Sequence, residues 1–110
     1  MYHKLRNNFG IPQYIKYGTE ADSKYLITAL LGPTLDDLFN VCGRRFSLQT
    51  TVLLFIQLID RLEMLHETSG QHLLHRDIKP DNLLMGLKDR SSTVHVVDFG
   101  LSKCFKKVKN

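Results

Sequence analysis

The stretch HRDIKPDNLLM, residues 75–85, carries four full charges, two of each sign, in its first eight positions and then turns apolar. Pro80 has no N–H to donate and holds Lys79 out of the helical region, so residues 75–82 read as a loop. Two short apolar runs downstream, Leu83 to Met85 and Val94 to Val97, read as strands, and Asp98-Phe99-Gly100 closes the ordered pattern. Charge held this tightly between apolar elements calls for a chemical use.

Working outward from the loop, Thr68-Ser69-Gly70 ends a long helix that Ser47 is placed to cap. Leu48, Val52, Phe55, Ile59, Leu62 and Leu65 recur along it at three- and four-residue steps, a stripe expected to be core. Before it, Thr34 with Asp37 three residues on predicts a capped helix running to about Val41, behind the strand-ending Gly32-Pro33. Tyr14 to Tyr17 and Tyr25 to Leu31 predict an antiparallel hairpin across a polar turn, Gly18 to Ser23. Phe9-Gly10-Ile11-Pro12 breaks whatever precedes it.

A chain of 110 residues with 43% hydrophobic and 24% charged residues has the make-up of one small soluble domain, and no apolar run approaches the length that spans a bilayer. A cytoplasmic or nuclear protein without membrane association is the expectation. The net charge of +4 is spread along the sequence, which argues against nucleic acid as a partner. Lys103, Lys106, Lys107 and Lys109 cluster around Cys104 and Phe105 and read as a solvated terminus. Cys42 and Cys104 lie far apart without CxxC spacing, so reduced thiols are expected. His66, His72 and His75 lack the further ligands that a zinc site needs.

The charged octapeptide makes sense as phosphoryl-transfer chemistry. A carboxylate that accepts a proton from an attacking alcohol needs a fixed loop, and Asp77 lies in one. Lys79, two residues on, offsets charge on a transferred group. Asn82 offers an amide oxygen to a hard divalent cation, and Asp98 can supply a second oxygen to the same region.

These motifs resemble those of protein kinases, where HRD with an asparagine five residues after the aspartate is the catalytic loop and DFG the magnesium motif. The nearer resemblance is to the casein kinase I family. It rests on LLGPTLDDLF at 30–39, RRFS at 44–47 and KPDNLLMG at 79–86, and spans about Leu5 to Lys107. The chain looks a few residues longer than that family around Glu67 to Gln71. The fold implied is α+β, a partial protein-kinase fold with an N-lobe hairpin and hinge over residues 1–31 and the start of the helical C-lobe over 32–110.

The resemblance implies ATP and Mg2+ as cofactors. It makes Asp77 the catalytic base, places Lys79 near the gamma-phosphate, and gives Asn82 and Asp98 to magnesium. Backbone groups near Leu31 would bond adenine, with Thr28 as gatekeeper and Leu84 as the pocket floor. Ala29 departs from the acidic residue usual there. Lys79 points to serine/threonine protein substrates, in acidic or pre-phosphorylated surroundings, and to a monomeric parent kinase. His75 is expected to pack behind the loop. The sequence contains no Gly-rich loop, no phosphate-binding lysine strand and no helix C glutamate, which implies a fragment inactive without restored flanks. A non-catalytic remnant or interaction module is the other reading.

Overall fold

The computed structural model describes residues 9–68 and 72–104. The lengthened turn at 69–71 and the lysines beyond residue 104 lie outside the described residues. The architecture is α+β; the described residues form three separate two-stranded antiparallel sheets and two α-helices.

Strand β1 (Tyr14–Glu20) pairs with β2 (Ser23–Thr28) from Tyr14–Thr28 down to Glu20–Ser23. The reversal is therefore only Ala21-Asp22, not the longer turn expected over 18–23. A two-residue reversal follows strand twist and lets the ladder run to its end, with Ala21 taking φ 53° to close it. Gly18 stays in the ladder because the Tyr25 ring lies over it; a Cβ there would meet the Tyr25 hydroxyl. β2 also stops at Thr28 rather than Leu31. After the Ala29 N–H donates to the Gln13 carbonyl, the chain leaves the hairpin, and the Gly32 N–H pairs instead with the Met85 carbonyl at 2.7 Å.

Helix α1 (Leu35–Val41) begins with the predicted reciprocal cap: Thr34 Oγ1 accepts from the Asp37 N–H at 2.9 Å, and Asp37 Oδ2 accepts from the Thr34 N–H at 3.2 Å. Helix α2 (Leu48–Glu63) is capped by Ser47, whose Oγ accepts from the Thr50 N–H at 3.1 Å, and runs on into a π-helical turn, Met64–Thr68.

The predicted stripe is buried only at its far end, where Leu62 is half-buried and Leu65, in the π-helical turn, is fully buried. Along α2 itself Leu48 is 81% exposed, Phe55 58% and Ile59 50%, whereas Leu54, Gln57, Leu58 and Arg61 turn inward. At 100° per residue the exposed and inward rows sit roughly a third of a turn apart. The helix is apolar on most sides, and what chose its inner face is the polar pair Gln57 and Arg61.

That pair holds the second sheet. Strand β4 (Leu83–Met85) pairs with β5 (Val94–Val96), preceded by short 3-10 turns at Pro80–Asn82 and Lys88–Arg90. On the edge of β5 away from β4, Gln57 Oε1 accepts from the Val94 N–H at 2.8 Å and Arg61 Nε donates to the Val94 carbonyl at 2.9 Å. Gln57 Nε2 donates to the Ser92 carbonyl, and the Val96 N–H donates to the Gly10 carbonyl. Side chains and a loop carbonyl thus take the place of a third strand.

Arg61 is 2% exposed, yet Asp60 Oδ2, Gln57 Oε1 and the Phe9 ring surround its guanidinium. Burial pulls its pKa down, partly offset by Asp60. Around this joint lies the core of Ile11, Leu35, Met64, Leu65, Leu73, Leu83, Val94, Val96 and Phe99. Each such side chain contributes roughly 1.5 to 3 kcal/mol by leaving water. A last pairing, β3 (Leu73–Leu74) with β6 (Lys103–Cys104), had no signal in the sequence. Among the described residues no helix is long and apolar enough to cross a membrane.

Candidate active site

The charged loop leaves β3, passes through His75 and ends in the 3-10 turn before β4. His75, 2% exposed, fixes its course. The Asp77 N–H donates to His75 Nδ1 at 3.1 Å, so the ring proton sits on Nε2, which donates to the Val97 carbonyl at 2.8 Å. The same ring meets Phe99 edge-on, with centroids 5.0 Å apart. His75 packs behind the loop as expected, and the same buried imidazole ties the loop to the Asp98-Phe99-Gly100 segment.

Asn82 fixes the other end. Its Nδ2 donates to the Asp77 carbonyl at 2.9 Å and to Asp77 Oδ2 at 3.1 Å, while its own carbonyl accepts from the Val97 N–H at 3.1 Å. Lys79 Nζ lies 3.7 Å from Asp77 Oδ1; with the lysine half exposed, this pair orients more than it stabilises. Asp77, Lys79 and Asn82 are therefore one cluster. Asp98 follows Val97 directly, is exposed, takes a left-handed φ of 61°, and accepts from the Gly100 N–H through Oδ1 at 3.3 Å.

Arg76 was not singled out by the sequence reading. Its backbone is also left-handed, φ 69°, and its Nε donates to the Leu101 carbonyl at 2.6 Å, a second tie between the two segments. The signal available was its place beside a buried histidine in the same charged run.

The residues expected near adenine are less gathered. Leu84 stands opposite Thr34 in a β-bridge and beside the Gly32-Pro33 pairing to Met85, which sets it close to the chain that follows Leu31. Thr28 ends β2, its hydroxyl turned to the Ala29 carbonyl at 3.4 Å. Leu31 lines a cavity of about 540 Å³ together with Gly10, Pro12, Leu87, Arg90 and His95, but neither Thr28 nor Leu84 lines it, nor does any residue of the charged loop. This cavity and the Asp77–Lys79–Asn82 cluster are separate places.

The family model of the protein kinase domain matches residues 1–110. The chain belongs to the protein kinase family. Membership makes it a kinase and a transferase by class, and implies ATP as phosphoryl donor, magnesium use and protein substrates. The oxygen donors fit that metal. Among the described residues no set of three histidine, cysteine or acidic side chains could cage an ion unaided. With Asn82 Nδ2 committed to Asp77, the amide oxygen remains as a hard donor, and Asp98 adds a carboxylate. Few protein ligands are what Mg2+ takes when water and phosphate complete its shell.

Proposed function

We propose that this chain carries the catalytic centre of an ATP-dependent serine/threonine protein kinase of casein kinase I type. The observation that carries the reading is the Asp77–Asn82–Lys79 cluster, hung from β5 through Val97 and through His75. Asp77, oriented by the Asn82 amide, accepts the proton of the substrate hydroxyl as it attacks phosphorus. Lys79 reaches out beside it to offset charge on the transferred group. Asn82 and Asp98 hold magnesium, which when bound neutralises the phosphate oxygens.

Leu31 backbone groups, Thr28 and Leu84 serve adenine, with residues 1–31 forming the end of an N-lobe and its hinge and 32–110 opening a C-lobe. The family type is supported by the LLGPTLDDLF, RRFS and KPDNLLMG stretches, and Lys79 supports serine/threonine over tyrosine substrates. Acidic or pre-phosphorylated substrates, a monomeric parent and a cytoplasmic or nuclear setting belong to the same reading.

The test is made in a chain with complete kinase flanks. Asp77→Asn should abolish nearly all phosphate transfer to casein while leaving nucleotide affinity unchanged, because the base acts on the hydroxyl. Asp98→Ala should weaken Mg2+-dependent ATP binding as well, read by calorimetry with and without the metal. Full turnover in Asp77→Asn, or unaltered metal dependence in Asp98→Ala, would remove the assigned roles.

A further inference from the structure

We propose that Ser47 is a phosphorylation site, modified by a separate, basophilic serine kinase that reads Arg44 and Arg45, and that its phosphate tightens the cap of α2. Gly43-Arg44-Arg45-Phe46-Ser47 joins the two helices and sets guanidiniums three and two residues ahead of an exposed hydroxyl. A kinase selecting such a site holds the arginines in carboxylate-lined subsites, where planar guanidiniums pair bidentately. Both are within reach. Arg45 is exposed and makes no hydrogen bond or ion pair among the described residues. Arg44 rests on Asn40 Oδ1 at 2.8 Å and over the Phe39 ring, contacts at the exposed surface that a stronger partner displaces.

The backbone is suited as well. Residues 45–47 belong to no helix or strand, and Ser47 is extended, φ −64° and ψ 157°. Ser47 Oγ bonds only within its own cap, donating to Thr50 Oγ1 at 3.0 Å and accepting from the Thr50 N–H. Leu48, Gln49, Thr50 and Thr51 are all exposed, so the first turn opens without disturbing the core. The anchor on this loop is Phe46, packed edge-on against Phe39 at 5.2 Å.

In the transfer, Ser47 Oγ forms a bond to the gamma-phosphorus of ATP held by the modifying kinase. The bond to the bridging oxygen breaks, ADP leaves, and the hydroxyl proton passes to that kinase's base. The product places a near-dianionic group at the head of a 16-residue helix, three and two residues after Arg44 and Arg45 in the chain. Both favour it, since first-turn N–H groups and the helix dipole attract negative charge. A copy of this chain acting in the acid-directed manner proposed above would not select arginines, so the modifying enzyme is a different one.

The 110-residue chain is incubated with ATP, Mg2+ and a basophilic serine kinase, and the modified peptide is located by mass spectrometry. One phosphoryl group is expected on Ser47, absent from Ser47→Ala and regained on the threonine of Ser47→Thr, which keeps the cap. Arg44→Gln with Arg45→Gln should slow incorporation by at least about tenfold, the loss of roughly one charge-assisted contact. Amide exchange at Thr50 and Thr51 should slow on modification. Phosphate only at other residues, equal rates with and without the arginines, incorporation by the chain alone, or faster exchange at Thr50 would each overturn the proposal.

Discussion

Single atoms decide more in this molecule than its composition suggests. Gly10, at φ +80°, lies so close to Arg61 that an added Cβ would overlap Nε and Cδ of that side chain. Those atoms cannot swing aside as a free lysine tip would, since Nε is bonded to the Val94 carbonyl and the guanidinium to Asp60. Gly10→Ala should therefore destabilise the fold by about 2 to 4 kcal/mol, combining overpacking with a left-handed alanine. Urea unfolding reads this directly; a loss under about 1 kcal/mol would show that Arg61 can move. His75 works at the same scale: with Nδ1 taken by the Asp77 N–H and Nε2 by the Val97 carbonyl, its ring can adopt one orientation only.

Among the elements, α2 shows what was legible and what was not. Its cap at Ser47, the box at Thr34 and Asp37, the loop, and strands β4 and β5 were all readable, because each depends on neighbours within a few positions. The inner face of α2 was not. Leu48, Val52, Phe55 and Ile59 obey helical spacing as well as Leu54 and Leu58 do, both rows run on to the buried Leu65, and apolarity alone could not rank the two stripes. Gln57 and Arg61, four apart on an otherwise apolar stretch, were the available signal, but only the distant strand that they serve explains them. The ties from His75 and Arg76 to residues 97–101 were hidden for the same reason, as was the pairing of β3 with β6. The charged loop over residues 75–82 was legible because charge and proline are concentrated in one short run. The two faces of α2 should respond oppositely to change. Gln57→Ala strands the N–H of fully buried Val94 and should cost about 1 to 3 kcal/mol. Val52→Lys, on the outer face, should stay within about 0.5 kcal/mol of the parent and lower any association of the chain at high concentration. Thermal unfolding of both variants with light scattering of the second provides the measurement.

For the whole molecule, His95 sets an acid limit. It is buried in β5, and desolvation, with added repulsion from Arg61 and Arg90, holds its pKa below the usual histidine value despite hydrogen bonds to the Thr93 and Leu84 carbonyls. The unfolded chain binds that proton more readily. His95 therefore supports folding fully above about pH 6.5, and its contribution is lost as pH falls through the lower folded value. Urea midpoints should drop between about pH 7.5 and about pH 5.5, and His95→Gln should flatten that drop. An equal decline in the variant would place the acid sensitivity elsewhere. The outer edge of β5 has a consequence of its own. The Ser92 carbonyl, both backbone groups of Val94 and the Val96 N–H are taken by Gln57, Arg61 and Gly10, so an incoming strand from another molecule meets an edge already engaged over these positions. The helix acts as a selvedge, the bound border that keeps a woven cloth from unravelling or being stitched to its neighbour.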